Sequence, residues 1–170
     1  DFAADDAVHN HITEPAFFSE ESYIRYKEDY HKAEVFGKII DDNLMDYHFQ
    51  PIVNANTGEI FAYEALMRPR EVNGIRLNPL EMLEIAENFD MLDAIEKLTA
   101  FNTMKFLSEN QDKFADKKLF INSIPANLLS DKDYKLLLDS YGALFEKIVI
   151  EVTEGSDILE SAIRLLYDRY

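Results

Sequence analysis

Ile60-Phe61-Ala62-Tyr63-Glu64 is an apolar, strand-like run closed by a carboxylate, and Lys147-Ile148-Val149-Ile150-Glu151 repeats the arrangement. Leu119-Phe120-Ile121 ends in the same way on Asn122. A carboxylate left buried and unpaired costs several kcal/mol or neutralises itself, so a set of strand-end oxygens usually faces a cation. Short apolar strands alternating with helical stretches indicate an α/β fold with parallel strands. The chain reads as part of a metal enzyme.

Working outward, His48 to Val53 forms a strand, and Asn54-Ala55-Asn56-Thr57-Gly58 supplies turn chemistry before a second strand from Glu59 to Leu66. These two are expected to be antiparallel neighbours. Asn78 is placed as an N-cap, with Pro79 at the first helical position, Glu81 closing a capping box, and Leu77 and Met82 forming a hydrophobic staple. A further helix is expected from Leu92 to Glu109, with Ile95, Leu98, Phe101 and Met104 on its buried side. After the strand Leu119 to Ser123, Ser130 opens a helix carrying Leu136, Leu137 and Leu138, and Gly142 marks its end. The strand Ile148 to Val152 follows, and a last helix begins near Asp157.

Before the first strand, residues 1 to about 19 mix Asp, His, Pro and aromatics without a period and read as a tail. His9 and His11 lack further ligands at a defined spacing, so they are not assigned to a metal. Glu21 to Ile40 contains no Pro and carries Tyr23, Tyr26 and Tyr30 at helical intervals, which predicts a helix. It is suited to packing on the domain, pairing with a copy of itself in a homodimer, or connecting to an upstream sensor domain. The expected division is a tail and linker helix over 1–43 and a domain over 44–170.

Composition narrows the function. Seventeen basic against 33 acidic residues give a net charge of −16, which repels a polyanion, so duplex nucleic acid is a poor partner. A small phosphorylated ligand is compatible, because a metal ion and one well-placed Arg overcome the global field locally. The absence of Cys excludes disulfides and thiolate metal sites and fits a reducing cytoplasm. No apolar stretch approaches the roughly 20 residues of a membrane span, and the acidic start lacks the basic residues of a secretion signal.

Four segments carry a family resemblance. Phe49-Gln50-Pro51-Ile52-Val53, Tyr63-Glu64-Ala65-Leu66-Met67-Arg68, Ile121-Asn122-Ser123-Ile124-Pro125 and Ile150-Glu151-Val152-Thr153-Glu154 resemble, in order, the motifs of the EAL family over residues 44 to 170. Those are bacterial, metal-dependent phosphodiesterases that open the second messenger cyclic di-GMP to the linear dinucleotide pGpG. The resemblance implies a TIM-like (β/α)8 barrel. A complete one takes ~250 residues, whereas this chain yields about four strands, so the expected architecture is the first half of the barrel behind an N-terminal helix.

The resemblance also assigns roles. Glu64, Asn122 and Glu151 become metal ligands, a hard oxygen set suited to Mg²⁺ or Mn²⁺ rather than Zn²⁺ or Cu²⁺. Gln50, Leu66 and Arg68 touch the nucleotide, Arg68 through its phosphate, where a planar fork binds two oxygens at once. Glu64 and Glu154 are the catalytic acids it names, Glu154 by anchoring the loop after the next strand. Taken singly, each residue has a plainer role: Arg68 a solvated charge, Gln50 a structural polar group, Leu66 core, Asn122 a turn cap, and Glu154 a favourable charge in a first helical turn.

The implied chemistry is a two-metal hydrolysis, in which a metal-bound hydroxide attacks phosphorus in line with the leaving 3′ oxygen. The family takes an Asp pair, a Lys and another Glu from later strands, and this chain ends before them. Asp41-Asp42 sits at an expected helix end and is no substitute, and Pro69 replaces the family's usual aromatic residue after the Arg. The chain alone is therefore expected not to turn over substrate. The alternatives are a receptor that binds cyclic di-GMP without cutting it, or an interaction module that self-associates through exposed strand edges.

Overall fold

A computed structural model describes residues 19–152 and 160–170. The tail with His9 and His11, the expected helix start at Asp157, and Glu154 lie outside the described residues. The elements in chain order are α1 (Glu20–Asp41), β1 (Met45–Val53), β2 (Ile60–Pro69), α2 (Pro79–Asn88), α3 (Leu92–Glu109), α4 (Gln111–Phe114), β3 (Lys118–Ser123), α5 (Asp131–Tyr141), β4 (Ile148–Val152) and α6 (Glu160–Arg169). Short 3₁₀ turns span Pro125–Asn127 and Gly142–Lys147.

The strands form one mixed sheet in the order β1-β2-β3-β4. As expected, β1 and β2 are antiparallel, while β2–β3 and β3–β4 are parallel. The turn between β1 and β2 is built by Asn54, whose side-chain oxygen accepts from the amides of Asn56 and Thr57, and by Gly58 at φ 73°, where a side chain would be strained. Both strands are longer than expected: β1 starts at Met45 and β2 runs to Pro69. Glu64 consequently sits inside β2 rather than at its end. The extension is held because Met45 pairs with Pro69, and Arg70 grips Asp46 through Nε at 2.8 Å and Nη2 at 2.5 Å.

Strand alternation sorts the side chains onto two faces. Tyr47, Phe49, Tyr63, Ala65, Leu119, Ile121, Ile148 and Ile150 belong to the helix-covered side, packed with Met104, Leu107, Phe114, Leu137 and Leu144. A second cluster joins α1 to the domain: Val35, Phe36 and Ile39 are buried with Met45, Val72, Leu77 and Met82. The N-terminal half of α1 instead exposes Tyr23, Ile24, Tyr26 and Tyr30.

Helix starts follow their sequence signals. Asn78 accepts from the amides of Leu80 and Glu81, and Glu81 returns a bond to the Asn78 amide, completing the capping box. Lys32 of α1 donates to the same Glu81 at 2.7 Å and ties the two helices together. Ser130 caps α5 as expected, but only Leu137 of its leucine triplet is buried. Consecutive residues of a helix point about 100° apart, so Leu136 and Leu138 face outward. On α3 the buried stripe is Ile95, Glu96, Thr99, Thr103, Met104 and Leu107. Leu98 and Phe101 flank it, because a strict three-residue spacing falls progressively behind a 3.6-residue turn.

Candidate functional site

The sheet register brings Gln50, Glu64, Leu66, Arg68, Asn122 and Glu151 to one face, opposite the helix-packed side. Gln50 is the cross-strand partner of Glu64, and Asn122 is the cross-strand partner of Glu151. Between β2 and β3 the pairing runs Glu64 to Phe120, and it stops at Ala65 with Ile121. Alternation then carries Asn122 back to the Glu64 side, where its Nδ2 donates to Glu64 Oε1 at 2.9 Å. Thus Glu64, Asn122 and Glu151, from three strands, meet at the carboxyl edge of the parallel ladder. Glu154 is the one candidate whose position lies outside the described residues.

Electrostatics follow from that convergence. Burial pushes the Glu151 carboxyl above the usual carboxylate range, and the neighbouring Glu64 charge pushes it in the same direction. Two partly shielded acids that repel each other make a site that gains from a cation. An amide nitrogen cannot ligate a metal, but rotating the Asn122 terminal amide by half a turn puts Oδ1 where Nδ2 now meets Glu64. The donor set therefore fits a hard divalent ion. Among the described residues no group of three or more His, Asp or Glu is placed to hold a metal, so the candidate set consists of two carboxylates and one amide.

Beyond Ala65 and Ile121 the two parallel strands separate, because β2 continues toward β1 and Pro69 while β3 stays paired with β4. The gap opens a cavity of about 230 Å³ lined by Leu66, Arg68, Asn122, Tyr47, Glu96 and Thr99. Arg68 also borders a second cleft of about 410 Å³, with His48, Arg70 and Arg76. Asp46 and Glu71 line the same cleft and pair with Arg70 at 2.5 Å and Arg76 at 3.9 Å, which leaves Arg68 as the cleft's guanidinium with no carboxylate partner among the ion pairs of the described residues. Arg68 donates one bond to the Met67 carbonyl at 2.8 Å, which anchors the guanidinium close to its own backbone.

Sequence reading missed Glu96. It lies on the buried stripe of α3, where Ser123 Oγ donates to its Oε1 at 2.6 Å and the Ile124 amide donates to its Oε2 at 2.9 Å. Burial raises its pKa, and the two donors partly oppose that rise. Beside it, burial pushes the Tyr47 hydroxyl up to about 12 while the group donates to Thr99 Oγ1 at 3.1 Å. The available signal was the polar series Glu96, Thr99 and Thr103 at helical spacing on an otherwise apolar face.

An α/β sheet with an oxygen-rich strand face defines a class of proteins that build sites at strand carboxyl ends. Within that class, the EAL domain model matches residues 33–168, and the chain belongs to the EAL domain family. Cyclic di-GMP phosphodiesterase NbdA of Pseudomonas aeruginosa is 29% identical over 80 residues, which are 47% of this chain and 10% of that protein. The Xanthomonas citri FimX EAL domain, solved in complex with c-diGMP, superposes with a TM-score of 0.66 at 19% identity, covering 84% of this chain and 55% of that one. Klebsiella pneumoniae BlrP1, solved as a manganese/cy-diGMP complex, superposes at 0.57 with 22% identity, covering 74% of this chain and 32% of that one. The chain thus spans about half or less of each.

Proposed function

We propose that this chain carries the first half of a cyclic di-GMP phosphodiesterase site, arranged as part of an EAL-type (β/α)8 barrel. Glu64, Asn122 and Glu151 hold a divalent cation, Mg²⁺ or Mn²⁺, and Gln50, Leu66 and Arg68 contact the dinucleotide. The carrying observation is the meeting of Glu64, Asn122 and Glu151 from three strands, with Asn122 and Glu64 in direct contact. Support also comes from the family membership, from the phosphodiesterase NbdA, and from the manganese and c-diGMP complex of BlrP1.

When bound, the cation supplies charge neutralisation at a phosphate oxygen and lowers the pKa of a coordinated water. The protein's own part is positioning. Glu64 and Glu151 place two carboxyl groups on one sheet face, and Asn122, the cross-strand partner of Glu151, bonds to Glu64. Arg68, in the lining of both cavities, supplies a bidentate fork for a phosphate. Glu154 completes the catalytic pair with Glu64 in this reading, by anchoring the following loop.

A second reading is a receptor that binds cyclic di-GMP without hydrolysing it, as the Xanthomonas citri FimX EAL domain was solved with c-diGMP bound. The presence of all three candidate ligands, Glu64, Asn122 and Glu151, weighs against it. Asp41 and Asp42 do not complete the set, since they form the end and C-cap of α1, before the first strand. Calorimetry with cyclic di-GMP and Mn²⁺ separates the two. The enzyme-lineage reading expects Mn²⁺ binding that is lost in Glu64→Gln and Glu151→Gln. Nucleotide binding that is indifferent to Mn²⁺ and to both substitutions favours the receptor. Retention of Mn²⁺ binding by the double variant would overturn the ligand assignment.

A further inference from the structure

We propose that Glu96, which resembles none of the site motifs, is the positioning residue that fixes Asn122 against Glu64. The inference rests on the reading of Asn122 as a ligand and names what holds it in place. Asn122 is the next-to-last residue of β3, and its strand is paired on one side only at that level: the β2 ladder ends at Ala65 with Ile121, while the β4 ladder continues through Asn122 and Ser123. The lateral support that β2 fails to give is supplied from α3. The Glu96 carboxylate takes one bond from Ser123 Oγ and one from the Ile124 amide, so the two residues that follow Asn122 are both held by a single side chain.

A purely structural role would not need this residue. Glu96 is only 8% exposed, and its two hydrogen bonds go to neutral donors. A buried carboxylate is costly where an apolar side chain of the same volume would serve for packing. A carboxylate is, however, suited to accepting from two donors at once on separate oxygens, and hydrogen bonds to a charged acceptor are the stronger kind. Glu96, Ser123 and Asn122 also share the cavity opened where β2 and β3 part, so displacement of the strand end has space to occur.

The test uses metal-free chain and Mn²⁺ alone. In ¹⁵N–¹H spectra the Asn122 side-chain amide, assigned by its loss in Asn122→Ala, is expected at a shifted, hydrogen-bonded position. Glu96→Leu should move it toward the free-amide position or broaden it, and should weaken Mn²⁺ binding by about 10–100-fold, the range seen when partners behind metal ligands are removed. Glu96→Gln, which can accept from Ile124 and donate to Ser123, should restore both readouts. Leu107→Ala, on the same helix and fully buried, is the control for lost stability and should leave both unchanged. Ser123→Ala removes one of the two bonds and should give an intermediate shift even if Glu96→Leu does not fold. An unmoved Asn122 amide in Glu96→Leu or Ser123→Ala, or an equal movement in Leu107→Ala, overturns the proposal. Mn²⁺ binding that persists in Glu64→Gln would instead sink the ligand reading, with the Asn122 resonance still deciding the role of Glu96.

Discussion

Replacing Phe36 by Ala tests whether α1 is an integral part of the domain. Phe36 is 2% exposed and sits among Val35, Ile39, Met45, Val72, Leu77 and Met82. Deleting a fully buried phenyl ring loses its transfer free energy and leaves a cavity, together about 3–5 kcal/mol. Against a typical total stability of about 5–15 kcal/mol, that is a large fraction. At about 2–4 °C per kcal/mol for a chain of this size, the melting midpoint should fall by about 6–20 °C. Ile24→Ala on the same helix, at a side chain 50% exposed, should change stability by no more than about 0.5 kcal/mol. Urea titrations followed by circular dichroism, compared at a common slope, give both values. If the two variants cost the same, the C-terminal half of α1 is not docked as the structure has it.

Three further outcomes are expected. Asn78→Ala should cost about 1 kcal/mol by removing the cap from α2, and Glu81→Gln should cost less while weakening the tie to Lys32; thermal melts check both. Glu96→Gln should change the pH dependence of folding. Burial raises the folded-state pKa of Glu96, so its contribution is fully present below the unfolded value and is lost as pH rises through the folded one. The variant should therefore gain on the parent as pH increases from about 4.5; urea midpoints that stay parallel from pH 4 to 8 would contradict this. Glu151→Gln should stabilise the metal-free chain by up to about 1 kcal/mol, since it relieves both the burial of a charge and its repulsion with Glu64, and should abolish any Mn²⁺-induced rise in melting temperature.

Local signals were legible where the physics is local. The turn at Asn54 to Gly58, the box of Asn78 and Glu81, and the Ser130 cap each depend on residues within a few positions of one another, and each formed as read. Strand length was not legible from hydropathy, because β2 beyond Leu66 is sustained by pairing with β1 and by the Arg70 grip on Asp46, partners 20 or more residues away. Glu96 escaped notice because a single acid on an apolar helix face has no meaning until Ser123 and Ile124 are brought to it across 27 and 28 residues.

The order of the main strands and helices and the family were readable along the chain, because apolar period, caps and motif residues are local in sequence, and the same motifs nominated the candidate oxygen donors. That Glu64, Asn122 and Glu151 share one face is a property of the folded sheet. Two residues placed one position further along either strand would face the helices instead, since alternate side chains of a strand point to opposite sides and the register between strands is set by packing over the whole sheet.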